Sequence, residues 1–198
     1  FAGKLENYTI NNSGSAIQVN DNQSGRDGRD TLLSIERLSF SDWDVDDLRG
    51  SIKLLKDSSS YSYSKDSSNQ TFAITGALGT HWHDQIWDGW SLVGAESIKG
   101  VNTTAWKTKG GDLWIAQHDH NWSYARSSKD VRQGSSAFYQ VESDFNQDFN
   151  KDSFTGTPLS TTESAGLFSL LKNSDGYGYS KDSSNQTFAI TGALGTHW

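Results

Sequence analysis

The chain has 198 residues, enough for one or two domains, and a net charge of −7 at pH 7. This acidic excess argues against nucleic-acid binding, which needs a basic surface opposite the phosphates. Cysteine is absent, so disulfides, thiolate metal sites and thiol catalysis are excluded. The sequence also lacks an apolar run of about 18 residues, the length that predicts a membrane-spanning helix.

The composition favours an all-β fold. Aromatic residues make up 12% of the chain and include eight Trp, while Gly occurs 19 times and Pro once. Aromatic rings suit pleated, half-buried strands, and Gly, Ser, Asn and Asp form turns. No segment has a sustained apolar stripe with a period of 3.6 residues. We therefore expect antiparallel strands and hairpins, arranged as a sandwich or a β-roll-like extension, with few short helices.

Residues 1–48 form the first predicted segment, which begins with a hairpin whose strands are residues 8–10 and 16–19. An acidic, glycine-containing turn follows at residues 21–32. Asp27 and Asp30 are candidate metal ligands there, because Gly lets the backbone turn tightly while carboxylates point inward. The alternative is a polar turn beside a hydrophobic strand, with no metal bound.

A family resemblance begins in this segment. The strings GRDTL at residues 28–32 and IERLSFSD at residues 35–42 resemble the closing segment of RTX (haemolysin-type) calcium-binding proteins. In that family, such a segment follows or caps a calcium-binding β-roll, so the resemblance implies Ca²⁺ as a cofactor. The repeated glycine-rich nonapeptides that define a β-roll do not occur in this chain.

A long internal repeat organises the rest of the chain. Residues 63–82 and 179–198 are the same string, YSKDSSNQTFAITGALGTHW, at an offset of 116 residues. A weaker match extends upstream, so the sequence predicts a complete module at residues 49–164 and a truncated second copy at residues 165–198. A repeat of this length is a domain-sized module and not a solenoid turn. We expect the chain to be a piece of a longer tandem array.

Within the module, apolar strands, polar turns and aromatic strands follow one another. Residues 54–56 and 61–63 predict one hairpin, and residues 105–107 and 113–115 predict another. The stretch 89–98 and the Trp residues that follow it resemble the Trp-rich repeats of large cyanobacterial RTX-type surface proteins. This resemblance implies secretion without an N-terminal signal, an extracellular location, calcium-dependent folding and no enzymatic activity.

The Trp residues also support an alternative function. Trp87, Trp90, Trp114 and Trp122 are candidates for carbohydrate binding, since the C–H-rich faces of sugars stack on aromatic planes. In a domain poor in aliphatic residues, clustered Trp side chains more often form the core, where each buries a large area.

Two His-x-His pairs raise the question of a zinc or copper site. His81 and His83 form the first pair, and His118 and His120 form the second. Both rings of a pair face the same side of an extended strand. The more ordinary interpretation is that these histidines pack or form hydrogen bonds at strand ends.

An acidic loop near the end of the module is the strongest metal candidate. Asp148, Asn150 and Asp152 stand at alternate positions, so their oxygen atoms converge when the backbone curls, and the carbonyl of Phe154 could extend the shell. The pattern lacks the bidentate glutamate of an EF-hand loop. A complete calcium shell would then need Glu142 or Asp144. The alternative is a turn rich in Asp and Asn that binds nothing.

The sequence therefore predicts a non-enzymatic, extracellular, calcium-binding structural repeat of a large cell-surface protein with a role in filaments, adhesion or motility. Its expected partners are other copies of the same protein, in tandem or in a fibre, and polysaccharide under the lectin-like alternative. No nucleophile elbow, phosphate loop or other catalytic signature occurs in the sequence.

Overall fold

The structure is a computed structural model that describes residues 1–13, 16–33, 35, 37–46, 50–152, 154–158, 160–163, 168–172, 178–182 and 187–190. Within these residues the chain forms sixteen β-strands, one α-helix and one short 3-10 helix (Leu5–Asn7). The first eight strands are β1 (Tyr8–Ser13), β2 (Ala16–Asp21), β3 (Arg29–Leu33), β4 (Leu38–Ser39), β5 (Asp44–Val45), β6 (Lys53–Lys56), β7 (Ser62–Lys65) and β8 (Thr71–Ala73). The remaining elements are β9 (Trp90–Ile98), β10 (Val101–Thr108), β11 (Leu113–His118), β12 (Tyr124–Val131), α1 (Ser136–Phe145), β13 (Ser160–Glu163), β14 (Phe168–Lys172), β15 (Gly178–Asp182) and β16 (Thr187–Ala189).

The strands form four antiparallel sheets, and within each sheet every strand pairs with its neighbour in sequence. The N-terminal sheet contains β1–β3, the central sheet β4–β8, the Trp-rich sheet β9–β12 and the second-copy sheet β13–β16. The prediction of an all-β fold of antiparallel strands and hairpins, with few helices, is confirmed. The described part of the chain contains no helix with the length and apolar character needed to cross a membrane.

The predicted hairpins form where the sequence placed them. β1 pairs with β2, β6 pairs with β7 through Leu55 and Tyr63, and β10 pairs with β11 through Trp106 and Trp114. The tight turn between β9 and β10 consists of Lys99 and Gly100, whose φ angles are 52° and 79°. Two successive residues with positive φ form the type I′ turn that matches the twist of an antiparallel hairpin.

Strand β6 belongs to two hydrophobic cores. Leu55 faces the N-terminal sheet and packs in a core with Val19 and Val45. Leu54 faces the opposite side and packs in a second core with Leu92 and Trp106 of the Trp-rich sheet. Successive side chains of a strand alternate between faces, so two adjacent leucines can serve both cores. The central sheet thus lies between the N-terminal sheet and the Trp-rich sheet.

The Trp-rich sheet packs against other elements on both of its faces. Trp106 points toward the central sheet, while its neighbour Ala105 points toward α1. On that second face, Phe138 and Phe145 of α1 form a third core. The helix begins at a capped end, where the Ser135 hydroxyl accepts a hydrogen bond from the Phe138 amide at 3.2 Å.

A buried ion pair network joins the central sheet to the Trp-rich sheet. The Lys56 Nζ contacts Asp46 Oδ2 at 2.9 Å and Asp84 Oδ2 at 2.6 Å. It also donates a hydrogen bond to the Leu92 carbonyl at 2.9 Å. A buried ammonium group needs such partners because its desolvation is costly. Lys56 therefore fixes how β6 lies against the start of β9.

The repeat is visible as a repeat of strand pairing. In the central sheet Lys56 lies opposite Asp44, and in the second-copy sheet Lys172 lies opposite Ser160. Each of these positions differs from its counterpart by the 116-residue offset of the sequence repeat. β13 thus takes the place of β5, although the sequences of the two strands differ. The structural repeat includes a strand on the N-terminal side of the predicted boundary between residues 48 and 49.

Candidate calcium loop and aromatic pocket

The acidic loop, residues 147–156, directly follows α1. The helix ends at Asn146, which adopts the left-handed conformation with φ of 52°. The loop closes at Gly156, whose φ is 94° and where an added Cβ would lie 2.3 Å from the Ser143 hydroxyl oxygen. The positive φ favours glycine, and a larger residue would also require the Ser143 hydroxyl to move. The loop is thereby held against the last turns of α1.

Glu142 anchors the acidic loop from within the helix. Its Oε1 accepts hydrogen bonds from the amides of Phe149 at 2.9 Å and Asn150 at 3.2 Å, and its Oε2 accepts one from Gly156 at 3.3 Å. The pKa of Glu142 is raised to about 7. Burial is the main cause and the nearby charge of Asp148 adds to it, while the three amides act to lower the pKa. Glu142 thus holds the loop closed by accepting from its backbone.

The three alternating oxygen side chains of the loop curl the backbone through local hydrogen bonds. Asp148 Oδ1 accepts from the amides of Lys151 at 2.7 Å and Asp152 at 3.2 Å. Asn150 Oδ1 accepts from the Asp152 amide at 3.0 Å, and Asp152 Oδ1 accepts from the Phe154 amide at 2.9 Å. These are turns in which Asp and Asn bind the backbone two to four residues ahead. They bring the predicted residues together in one loop.

Of the two acids predicted to complete the loop, the structure brings only Glu142 into it. Asp144 lies on the outer side of α1, where it accepts a hydrogen bond from Gln140 Nε2 at 2.9 Å. Among the residues that the structure describes, no three His, Asp or Glu side chains are grouped as metal ligands. The loop offers two carboxylates, one amide oxygen and backbone carbonyls. Calcium accepts such a mixed oxygen set.

The carboxylates of the N-terminal turn have protein partners. Asp21 forms a two-point ion pair with Arg26, with both N–O distances at 2.6 Å, and this pair lowers the pKa of Asp21. Asp27 accepts a hydrogen bond from the Tyr8 hydroxyl, which lowers the pKa of Asp27, and another from the Ala2 amide at 2.9 Å. Asp30 stands in β3, paired with Val19 of β2. The turn around Asp27 is thus held by an ion pair and hydrogen bonds within the protein.

Three of the four predicted sugar-binding Trp residues line an open pocket on the Trp-rich sheet. This aromatic pocket has a volume of about 230 Å³ and is lined by Trp87, Trp90, Trp114 and Asp130. Trp87 is 39% exposed, and its ring meets that of Trp114 edge-on at 5.5 Å. Exposed ring faces beside a carboxylate suit a ligand with both apolar and hydroxyl-bearing surfaces. Asp130 was not predicted as part of a site, because a lone Asp in a polar strand has no distinguishing signal in the sequence.

The fourth predicted residue, Trp122, does not reach the aromatic pocket. It is buried in the core between the central and Trp-rich sheets, together with Trp82 and Trp106. Its φ of 63° places it in a tight turn, and its carbonyl accepts a hydrogen bond from His118. Its ring is therefore unavailable for stacking on a sugar. Clustered Trp residues serve here both as core and as pocket wall.

Two of the four histidines in the His-x-His pairs, His81 and His118, make packing and hydrogen-bond contacts within the protein. His118 is buried, with Nδ1 donating to the Trp122 carbonyl at 3.1 Å and Nε2 accepting from the Thr104 hydroxyl at 2.9 Å. Burial lowers the pKa of His118 to about 4, so the ring is neutral at physiological pH. His81 stacks on Tyr61 at 4.7 Å and donates from Nε2 to the Ser62 carbonyl. These contacts agree with packing at strand ends.

The sequence also carries a signal that Glu142 accepts hydrogen bonds inside the protein. It stands four residues after Phe138 and three residues before Phe145, on the apolar face of α1. An acid at a core position of an amphipathic helix needs buried partners. Its partners are the amides of a loop that follows in sequence.

One family comparison covers most of the module. Residues 52–156 match the family described as the tryptophan-rich Synechocystis species C-terminal domain. The matched stretch includes the Trp-rich sheet, α1 and the acidic loop. No curated protein matches the chain significantly. Since the match covers more than half of the 198 residues, the chain belongs to the tryptophan-rich Synechocystis species C-terminal domain family.

Proposed function

We propose that the chain is a non-enzymatic structural repeat of a large extracellular surface protein of the RTX type, and that its acidic loop binds Ca²⁺. The observation that supports calcium most directly is the placement of Asp148, Asn150 and Asp152 in one curled loop. Their side-chain oxygens and the Phe154 carbonyl are the hard ligands that calcium prefers. Glu142 contributes by holding the loop shut, as its oxygens already accept from three amides. Binding would exchange the contact between Asn150 Nδ2 and Asp152 Oδ2, at 3.0 Å, for a bond to the ion.

The proposed role as a structural repeat follows from the strand pairing and the sheet packing of the modules. Strand pairing recurs at an offset of 116 residues, and the Trp-rich sheet covers the central sheet within a module. A tandem array of such modules would give a long, rigid element suited to a filament, an adhesin or a motility structure. Calcium at the end of each module would stiffen the array outside the cell, where the ion is present at millimolar concentration.

Calcium is expected to stabilise the protein against heat. For extracellular modules that bind with dissociation constants of roughly 10⁻⁴ to 10⁻³ M, about 10 mM Ca²⁺ adds roughly 1–3 kcal/mol to the free energy of unfolding. The double variant Asp148→Asn/Asp152→Asn removes both charges but keeps oxygen acceptors for the loop amides. It should therefore lose the calcium-induced rise in melting temperature. The melting temperature in calcium and in EDTA, measured for both proteins, checks the claim.

Asp144→Asn is the matched control, because it removes one carboxylate of the same helix–loop region outside the loop. This variant should keep the full calcium-induced rise in melting temperature. An unchanged melting temperature of the parent protein in calcium and EDTA would contradict the calcium claim. If Asp144→Asn and the double variant lost the calcium-induced rise in melting temperature to the same extent, that result would also contradict the claim.

The aromatic pocket supports carbohydrate binding as a second candidate function. Trp87 and Trp114 present ring surfaces, and the exposed Asp130 carboxylate can accept hydrogen bonds from sugar hydroxyls. That carboxylate disfavours acidic polysaccharides, so the ligand class is a neutral polysaccharide. The nearby rings of Trp106 at 4.8 Å and Trp82 at 5.6 Å hold Trp87 in place.

Affinity gel electrophoresis with a panel of neutral polysaccharides tests the pocket. Trp87→Ala should weaken retention by about 10-fold or more, as loss of an aromatic anchor does in other interfaces. Leu78→Ala is the control, since Leu78 is a fully solvent-exposed apolar residue outside the pocket. Equal retention of the two variants, or no retention of the parent protein by any gel, would remove this candidate.

A further inference from the structure

The second-copy sheet exposes the positions that form the core of the first module. Ile52 and Leu54 are 8% and 0% exposed, whereas their counterparts Phe168 and Leu170 are 59% and 37% exposed. Both pairs are apolar, so the difference lies in what covers them. In the first module the cover is the Trp-rich sheet.

The equivalence of these positions rests on backbone geometry as well as on sequence. In the central sheet the Ile74 amide donates to the Ser62 carbonyl, and in the second-copy sheet the Ile190 amide donates to the Gly178 carbonyl, both at 3.0 Å. A shift of one residue in strand register would turn every side chain to the other face. Because the register is the same, Phe168 and Leu170 lie on the face that corresponds to that of Ile52 and Leu54.

A charged residue on the same face completes the comparison. Lys56 is buried and paired with Asp84 at the start of the Trp-rich sheet. Its counterpart Lys172 is exposed. This face of β14 therefore carries two apolar side chains followed by one ammonium group. The first module has the same order of side chains on the face that packs against the Trp-rich sheet.

We infer that Phe168, Leu170 and Lys172 form a docking face for a Trp-rich four-stranded sheet of the β9–β12 type, with a carboxylate in the place of Asp84. The Trp-rich sheet of this chain is not the occupant, since it already packs against β6. The occupant is thus a further copy of that sheet. This inference rests on the proposed role as a structural repeat and is independent of calcium binding.

Thiol labelling tests the docking face directly, because the chain has no native cysteine. Leu170→Cys is labelled with a maleimide in the 198-residue chain and in a chain that carries a second copy of residues 83–156 after Trp198. This order reproduces the first module. We expect labelling at least ~10-fold slower in the extended chain, because a docked sheet must open before the thiol reacts. Leu33→Cys, exposed at the end of β3, should react at the same rate in both chains.

Melting of a second variant keeps the test independent of the cysteine. Phe168→Ser/Leu170→Ser should leave the melting temperature of the 198-residue chain unchanged and should abolish the unfolding transition of the added segment in the extended chain. A folded added segment with unprotected Leu170→Cys would overturn the inference. Slow labelling in the 198-residue chain would also overturn it, whether at all concentrations or only at high concentration, since another surface would then cover the face. A chain without a calcium response but with a protected thiol would refute only the calcium proposal.

Discussion

Replacing Trp106 with alanine is expected to cost about 3–5 kcal/mol of stability, the usual loss when a buried Trp is truncated. Trp106 is 0% exposed and stands in β10, where it packs between the central and Trp-rich sheets. Its ring contacts those of Trp82 at 5.4 Å and Trp87 at 4.8 Å. Loss of the ring leaves a cavity that surrounding rigid rings cannot fill. Chemical denaturation followed by tryptophan fluorescence measures the change.

Trp87→Ala is the matched control, because it removes the same side chain from a 39% exposed position. Its cost should be well below that of Trp106→Ala, since much of the ring is already in water. A third variant, Trp106→Phe, keeps most of the apolar contact and removes the buried Nε1–H, which has no hydrogen-bond partner among the described residues. Trp106→Phe should lose less stability than Trp106→Ala. Equal losses for Trp106→Ala and Trp87→Ala would contradict the assignment of Trp106 to the core.

Much of the fold was predictable because its signals are local. Aromatic strands flanking Gly110 and Gly111 predicted the β10–β11 hairpin, and the structure pairs Trp106 with Trp114 there. The division of Trp residues into core and pocket was not predictable. Trp114 stands between the apolar residues Leu113 and Ile115, and Trp122 follows the polar residue Asn121. Tertiary packing nevertheless buries Trp122 and leaves Trp114 in the pocket wall.

Other features escaped prediction because they depend on contacts distant in sequence. β13 takes the place of β5 through backbone pairing, which any side chain permits, so the repeat of this strand left no trace in the residues. The alternation of Asp148, Asn150 and Asp152 in the sequence predicted that their oxygen atoms converge in one curled loop. The structure adds that Glu142 faces the loop amides instead of completing a ring of carboxylates. A spacing pattern predicts which oxygens can converge, but it does not predict where the amide hydrogens point.

Glu142→Ala is expected to cost about 2–4 kcal/mol, because it removes the common acceptor of three amides and each buried unpaired group costs about 1–3 kcal/mol, with water satisfying some of them. The amides belong to Phe149, Asn150 and Gly156, at both ends of the acidic loop. The loop should open, and hydrogen exchange of these amides should accelerate. Glu142→Gln keeps one acceptor oxygen and should lose less stability. Asp144→Ala, on the outer side of the same helix, serves as the control for a loss of helical charge.

The pH dependence of stability provides the sharper test of Glu142. Its pKa is about 7 in the folded protein against an ordinary value of 4.5, so the folded state binds the proton more tightly than the unfolded state. The contribution of Glu142 to stability is therefore greatest below pH 4.5, falls as the pH rises toward 7, and is constant above that range. Glu142→Gln cannot titrate, so its stability relative to the parent protein should rise across this interval in EDTA. Denaturation curves at pH 4.5 and pH 8 measure this difference, in which the titration of other groups cancels. A difference that is the same at both pH values would mean that the pKa of Glu142 is equal in the folded and unfolded states, and that the loop amides offset the burial of its charge.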